Sequence, residues 1–425
     1  MPPGFSPADV EWGMSQYEYP KIRNVDMFAV DLSGQPGVAL RDPLLYATEI
    51  IALPRDALAI IQHFTGTNTI EDIRKMLLEQ YGGDVPAENI RFIAEELDEH
   101  HFLLSERFLR HKRNVDEGFH ASPIRHPVHA GSGYSEDPRE LAGELDGYFS
   151  RAGVFPNASG KHTDETTAII APHISINAGG PSFAHAYGAL VEDTPADLYV
   201  ILGIGHAGLE RLFAGTVKDF ITPLGTVQTH REFMHDLNRR YDDSLFNGEE
   251  LHRTEHTIEF QTVFLKYILK DQPFFIAPIL ASFPHQILSS EQFPEARDMV
   301  DRFIDALKGA MEKFDGRVVM IASVDFAHVG VKYGDEKPLS PEDLEVIQKR
   351  DREMIEILEA GDSERFLDHI ASDEDARRIC GFSALYVMLR VLEEAKGMLL
   401  SYDLTSMDEH NSTVTFAGMK FTRRR

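Results

Sequence analysis

The chain of 425 residues carries a single cysteine, Cys380. One thiol excludes an intramolecular disulfide framework and fits a reducing compartment. Cationic side chains are scarce as well, with 42 Lys and Arg against 69 Asp and Glu and a formal net charge of −27. That imbalance repels phosphate backbones and anionic lipid heads, which argues against a nucleic-acid or membrane partner. No apolar run approaches 18 residues, and the opening MPPGFSPADVEWG lacks a basic stretch followed by an apolar one. The expectation is a soluble, cytoplasmic protein. Two familiar catalytic signatures are absent too, the GxxxxGK[ST] phosphate loop and the GxSxG nucleophile elbow, and APHISINAGGPS lacks the GxGxxG spacing of a dinucleotide turn.

What is present is enough apolar material, 43% of residues, to fill cores in two or three domains. The first 115 residues predict a short strand near Asp26–Leu32, a strand in YATEIIALP and a helix in DALAIIQHFTG that stops at Gly66. A second helix follows in TIEDIRKMLLEQYGG, with Thr69 and Asp72 in capping-box spacing, then a third through Ile90, Phe92, Ile93 and Leu97, then a strand-like HFLLS. Three short helices and a ribbon outline a winged helix. The acidic run EELDEHH lies on the third helix, where a DNA reader keeps Arg and Lys, so the outline reads as a structural or protein-binding module. The spacing of LPRDALAIIQHFTGTNTIEDI and IRFIAEELDEHHFL resembles the PqqD-like peptide-recognition fold, which implies a peptide or protein partner for this module. RFLRHKRN, Arg107 to Asn114, reads as solvated linker, and residues 116–126, with Gly118 and Pro123, as the connection to a larger domain over 127–425.

In that larger part, strands and helices alternate: TTAIIAPH, PSFAHAYGALVE, DLYVILGIGH, EARDMVDRFIDALKGAMEKF and RVVMIASVDFAH. Apolar runs that turn polar just before a helix predict a mostly parallel α/β sheet flanked by helices, with ligands gathering at the carboxyl ends of strands. Those ends carry His173, His206, Asp325 and His328, and Cys380 follows in RRICGF. Imidazole and thiolate suit Fe, Cu or Zn. A lone strand-end histidine is also an ordinary hydrogen-bonding residue, and His185, His230, His235, His252 and His285 are read that way. A second cluster, RTEHTIEFQTVFLKYIL, places Glu255 and Glu259 at i and i+4 with His256 between them. It is not HExxH, so these residues are read as pocket groups that orient a neighbouring ligand. A Cys-His hydrolase built on Cys380 with a base such as His328 stays open on chemistry alone.

Read in order, PVHAGSGYSEDPRELAGELDGYF, IIAPH with GGPSFAHAY, ILGIGH, TPLGTV, TEHTIEFQ, SVDFAH and ICG resemble the MEMO family, also called AmmeMemoRadiSam system protein B, over about Pro127 to the carboxyl end. The resemblance implies a fold like the class III extradiol dioxygenases, which open catechol rings with non-haem Fe(II). It implies metal-ligand roles for His173, His206 and Cys380, an acid/base role for His328 with Asp325 beside it, and a pocket position for Glu255, His256 and Glu259. Fe(II) or Cu is the implied metal, with Zn a further candidate, and the implied function is a dioxygenase-like redox site or, in its place, a scaffold that keeps the cleft for a partner. Four departures stand out: Ile174, Ser175, Ile176 and Asn177 replace an aromatic stretch after APH, Ala207 stands where a second histidine is common, Phe382 where Arg is usual, and His230 where an acid is common.

Overall fold

The computed structural model describes residues 17–154, 166–191, 193–208, 211–242, 244–393 and 395–423. The opening MPPGFSPADVEWG lies outside them. The chain divides into two compact units, Met1–Ala121 and Ser122–Arg425.

In the first unit, strands Asp26–Asp31, Pro36–Arg41 and Ile51–Pro54 form an antiparallel sheet in that order. Helices Arg55–Ile61, Ile70–Tyr81 and Ala87–Glu99 close over it, burying Ile61, Phe64, Ile73 and Ile90 with Leu40. Thr69 and Asp72 make the capping box reciprocally, satisfying two amide donors at the helix start. HFLLS forms only an isolated bridge, Leu103 to Ile22, before the chain enters a fourth helix, Glu106–Ala121.

That fourth helix differs from the sequence reading of a solvated linker. RFLRHKRN sits inside it, and helix occupies much of 116–126 as well. Phe108 explains the difference: it is 4% exposed, its ring meets Tyr46 edge-on at 5.7 Å, and the Arg23 guanidinium lies 3.8 Å over its face. One anchored aromatic and the i,i+4 pairs Lys112–Asp116 and Arg110–Glu106 hold a stretch that composition alone marks as polar.

The second unit is built on an eleven-stranded sheet, counted among the described residues. At its centre run four parallel strands, in spatial order Thr166–Ala171, Val318–Ser323, Leu198–Ile204 and Phe275–Ala281. Strand Thr413–Arg423 joins antiparallel beside Thr166–Ala171, and Ala395–Ser406 pairs with it in turn. Both faces of the central strands are covered. Ala168, Ile170, Val200, Leu202 and Met320 point into one core, closed by helices Pro294–Lys313, Pro341–Ala360 and Phe382–Val391. Ile169, Ala171, Tyr199, Ile201 and Ile321 point into the other, closed by Pro138–Arg151, Ile176–Val191 and His256–Leu269. A strand buried on both sides reads as an unbroken apolar run, which is the pattern in TTAIIA and LYVILGI.

Three neighbouring parallel strands therefore deliver their carboxyl ends side by side. His173 follows the first, Asp325 the second and His206 the third.

Candidate metal centre

The first histidine is fixed by the strand next to it. His173 is 2% exposed, its Nδ1 lies 2.9 Å from the Ser323 carbonyl, and its amide donates to the Asp325 carboxylate at 3.0 Å. A carbonyl only accepts, so Nδ1 carries the proton and Nε2 is left with its lone pair facing the site. Burial holds the His173 pKa well below the usual imidazole value, with His206 and His256 adding to the effect, so the ring stays neutral.

The other two imidazoles depend on one carboxylate. Glu255 caps helix His256–Leu269, its side chain accepting from the amides of His256 at 2.9 Å and Thr257 at 3.2 Å. The same carboxylate accepts from the His206 amide at 2.9 Å, and lies 3.1 Å from the Nδ1 atoms of both His206 and His256. Burial alone would raise the Glu255 pKa, but the two imidazoles and their hydrogen bonds hold it well below the carboxylate range. For His206, burial is outweighed by the Glu255 charge and the pKa rises. An ionised carboxylate again only accepts, so both rings keep Nδ1–H and offer Nε2 to the site. His206 and His256 stack at 4.9 Å between ring centroids, 14° from parallel, and His173 meets His206 edge-on at 5.0 Å. Among the described residues, these three are the group whose ligand atoms lie within 4.8 Å of one another.

The helix that brings His256 there needs Gly203. A Cβ on Gly203 would lie 2.5 Å from Thr257 Oγ1, inside contact distance, and that hydroxyl sits 3.2 Å from both the amide and the carbonyl of Ile204. Only a residue without a side chain lets the helix start press against the strand.

Cys380 enters from the loop before helix Phe382–Val391. Its Sγ is 3.2 Å from His173 Nε2 and 3.6 Å from the Asp325 carbonyl. Burial and the neighbouring Asp325 charge push the thiol pKa well up. Gly381 permits the approach, since a Cβ there would meet Val324 Cβ at 2.5 Å. Asp325 is itself pushed up to about 6 by burial, against the amide hydrogen bonds it accepts from His173 and Ile174. His328 has Nδ1 3.1 Å from the Phe326 carbonyl and its ring also bonds the Arg378 backbone, and burial brings its pKa down to about 4, so it too is a neutral imidazole.

Of the residues singled out in the sequence, His173, His206, His256, Glu255, Asp325 and Cys380 come together, and His328 stands on the same loop as Asp325. His256, read from the sequence as a pocket group, is one of the three imidazoles. Glu259 goes elsewhere. It is fully buried, pairs with Arg125, and accepts from Tyr134 at 2.5 Å and the His129 amide at 3.0 Å. The i,i+4 face is lost because Glu255 is the cap rather than a member of the helix, so the two carboxylates part company. Glu259 thereby anchors the segment 125–134, whose His129 ring meets His256 edge-on at 5.6 Å. His230 caps helix Arg231–Arg240 and His252 bonds the Ala214 carbonyl at 3.1 Å, both structural roles.

The sequence reading missed Tyr333. Its ring meets His328 edge-on at 5.1 Å, and it packs beside Ile174, Val414 and Phe416 in a small cluster apart from the two main cores. An aromatic ring thus stands on the side where Ile174 replaces one, and the signal for it was a tyrosine five residues after His328 in HVGVKY.

A Memo-like protein family model matches residues 125–420. A MEMO1 family protein of Aquifex aeolicus is 28% identical over 408 residues, covering 95% of this chain and 99% of the relative. One from Methanopyrus kandleri is 30% identical over 313 residues, 70% of this chain and 99% of the relative, and one from Thermus thermophilus is 26% identical over 337 residues. The chain belongs to the Memo-like protein family.

Proposed function

We propose that this protein binds a late first-row transition metal, Fe(II) or Cu with Zn as a further candidate, through His173, His206 and Cys380 with His256 as a fourth donor, and that the loaded site is a redox centre for a small or peptide substrate. The observation that carries this is the convergence of three Nε2 lone pairs whose Nδ1 atoms are all tied to acceptor-only partners, the arrangement that orients histidine towards a cation. The donor set fits. Three imidazoles and a sulfur are borderline to soft ligands, and a half-buried thiol with a raised pKa lacks only a cation to release its proton. When bound, the metal would supply a Lewis-acidic, electron-transferring centre of the kind that serves O₂-dependent oxidation.

The chain's own groups would do the rest. Glu255 and the Ser323 carbonyl hold the rings in one tautomer. His328, held neutral, takes a proton from substrate, and Asp325, near half-protonation at about pH 6, holds one beside Cys380. A thiolate hydrolase is disfavoured by the same burial that raises the Cys380 pKa. Metal analysis of protein purified without chelators tests the reading: His206→Ala and His256→Ala should each lose most of the bound metal while remaining folded. Equal metal content in wild type and both variants would overturn it.

A second reading concerns the first unit, and the sheet edge favours it. Strand Ile51–Pro54 pairs on one side only among the described residues, and beside its open edge lies a groove lined by Ile51, Leu53, Phe92, Ile93 and Leu97, with Phe92 60% exposed. An open edge beside apolar pockets suits an extended peptide added as a further strand. Peptide arrays probed with the full chain should retain sequences that bind Phe92→Asp at least about tenfold more weakly. Identical retention by both proteins would remove the reading.

A further inference from the structure

Asp351, on helix Pro341–Ala360, is fully buried and belongs to neither the histidine cluster nor the family motifs, yet its carboxylate joins the two loops that carry the rest of the site. One oxygen accepts from Arg377 Nη1 at 2.6 Å. The other accepts from the Thr415 hydroxyl at 2.6 Å and the Tyr402 hydroxyl at 2.9 Å.

Each of those contacts leads somewhere. Thr415 Oγ1 in turn accepts from the Ala327 amide at 2.9 Å, and the Thr415 carbonyl accepts from the Phe326 amide at 2.7 Å, so this residue fixes the backbone between Asp325 and His328. Arg377 stands three residues before Cys380, and its carbonyl accepts from the His328 amide at 2.7 Å. Its guanidinium also meets His369 Nε2 at 3.0 Å and Asp373 at 3.3 Å. Arg378 bonds the His328 carbonyl at 3.2 Å and pairs with Asp335. The Tyr402 hydroxyl, on strand Ala395–Ser406, also meets the Thr415 hydroxyl beside the same carboxylate.

We propose that Asp351 is a positioning residue: through Thr415 on one side and Arg377 on the other, it sets the Asp325–His328 loop against the Cys380 loop and holds the thiol beside His173. The inference rests on the metal-binding reading for its consequence, but its geometry holds without metal. A buried carboxylate that accepts three hydrogen bonds has no cheap substitute, because an amide offers a donor where three donors already converge. In Asp351→Asn the amide nitrogen must turn towards Arg377 or the Thr415–Tyr402 pair. Either choice loosens one loop relative to the other.

The test pairs variants that differ in which contact they break. Thr415→Val removes the hydroxyl between Asp351 and Ala327, and Thr415→Ser restores it. Tyr402→Phe deletes one hydrogen bond to the same carboxylate and one to the Thr415 hydroxyl, but leaves the bonds of Thr415 to Asp351 and to the Ala327 amide in place. Two readouts follow on the full chain: the thiolate-to-metal absorption band of the Co(II)-loaded protein, and the rate at which a maleimide alkylates Cys380 in the metal-free protein. The expected result is that Asp351→Asn and Thr415→Val lose the band and react about tenfold or more faster, the mark of an easier local opening, while Tyr402→Phe and Thr415→Ser behave as wild type. Band and rate unchanged in Asp351→Asn and Thr415→Val would overturn the inference, as would an equal effect of Tyr402→Phe. If wild type gives no thiolate band, the metal reading fails, and the alkylation rates still decide the positioning role. Should Asp351→Asn not fold, the contrast between Thr415→Val and Thr415→Ser carries the decision.

Discussion

At the scale of the residue, the candidate site turns on Glu255. Its two oxygens meet backbone amides of His206, His256 and Thr257 and the Nδ1 atoms of two imidazoles, so one side chain caps a helix and selects two tautomers. Glu255→Gln keeps the volume but places an NH₂ donor against groups that are themselves donors. At least one ring would then rotate or shift its proton to Nε2, blinding that donor to a cation. Loss of such an orienting partner commonly costs 10- to 100-fold in metal affinity, roughly 1.4 to 2.7 kcal/mol. Competition titration of wild type and Glu255→Gln with a chromophoric chelator measures it. An unchanged affinity in the variant would show that the carboxylate only caps the helix.

At the scale of the element, the legible parts were those with a strong local period. The runs in TTAIIA, LYVILGI and VVMIAS are strands buried on both faces, and PEARDMVDRFIDALKGAMEK is the amphipathic helix its spacing suggested. The strand-end histidines were legible for the same reason, since a parallel sheet aligns its carboxyl ends. Other features depended on partners distant in sequence. Helix Glu106–Ala121 is set by Phe108 meeting Arg23 and Tyr46, about 60 to 85 residues earlier, and nothing in RFLRHKRN records those partners. Glu255 and Glu259 looked like one face of a helix, and a boundary shift of one residue sent them to different tasks. Asp351 is the extreme case. Its neighbours Arg377, Tyr402 and Thr415 lie 26 to 64 positions away, and in sequence it is one acid in a charged helix. Gly203 shows the reverse limit, because a glycine inside an apolar strand is visible at once, whereas the helix start it admits is not.

At the scale of the whole molecule, no described helix is long and apolar enough to cross a membrane, and the surplus of acid stands against several histidines held neutral inside the fold. That combination predicts acid sensitivity with a definite sign. His252 is 1% exposed, and burial brings its pKa down to about 4, partly offset by its bond to the Ala214 carbonyl. Above pH 6.5 neither the folded nor the unfolded chain protonates this ring, so its full contribution is present. Between pH 6.5 and 4 the unfolded chain takes up a proton that the folded chain refuses, and stability falls by about 3 kcal/mol at the lower limit. His328 and His369, also brought down to about 4 by burial, act in the same direction. Asp325 opposes them, because a carboxyl raised to about 6 in the fold is relieved as pH falls through that value. His252→Gln removes one titrating group without disturbing the others, so chelator-treated wild type should lose roughly 2 to 3 kcal/mol more than the variant between pH 7 and pH 4.5 in urea unfolding. Parallel losses in the two proteins would mean that this ring is already charged, or already solvated, in the folded state.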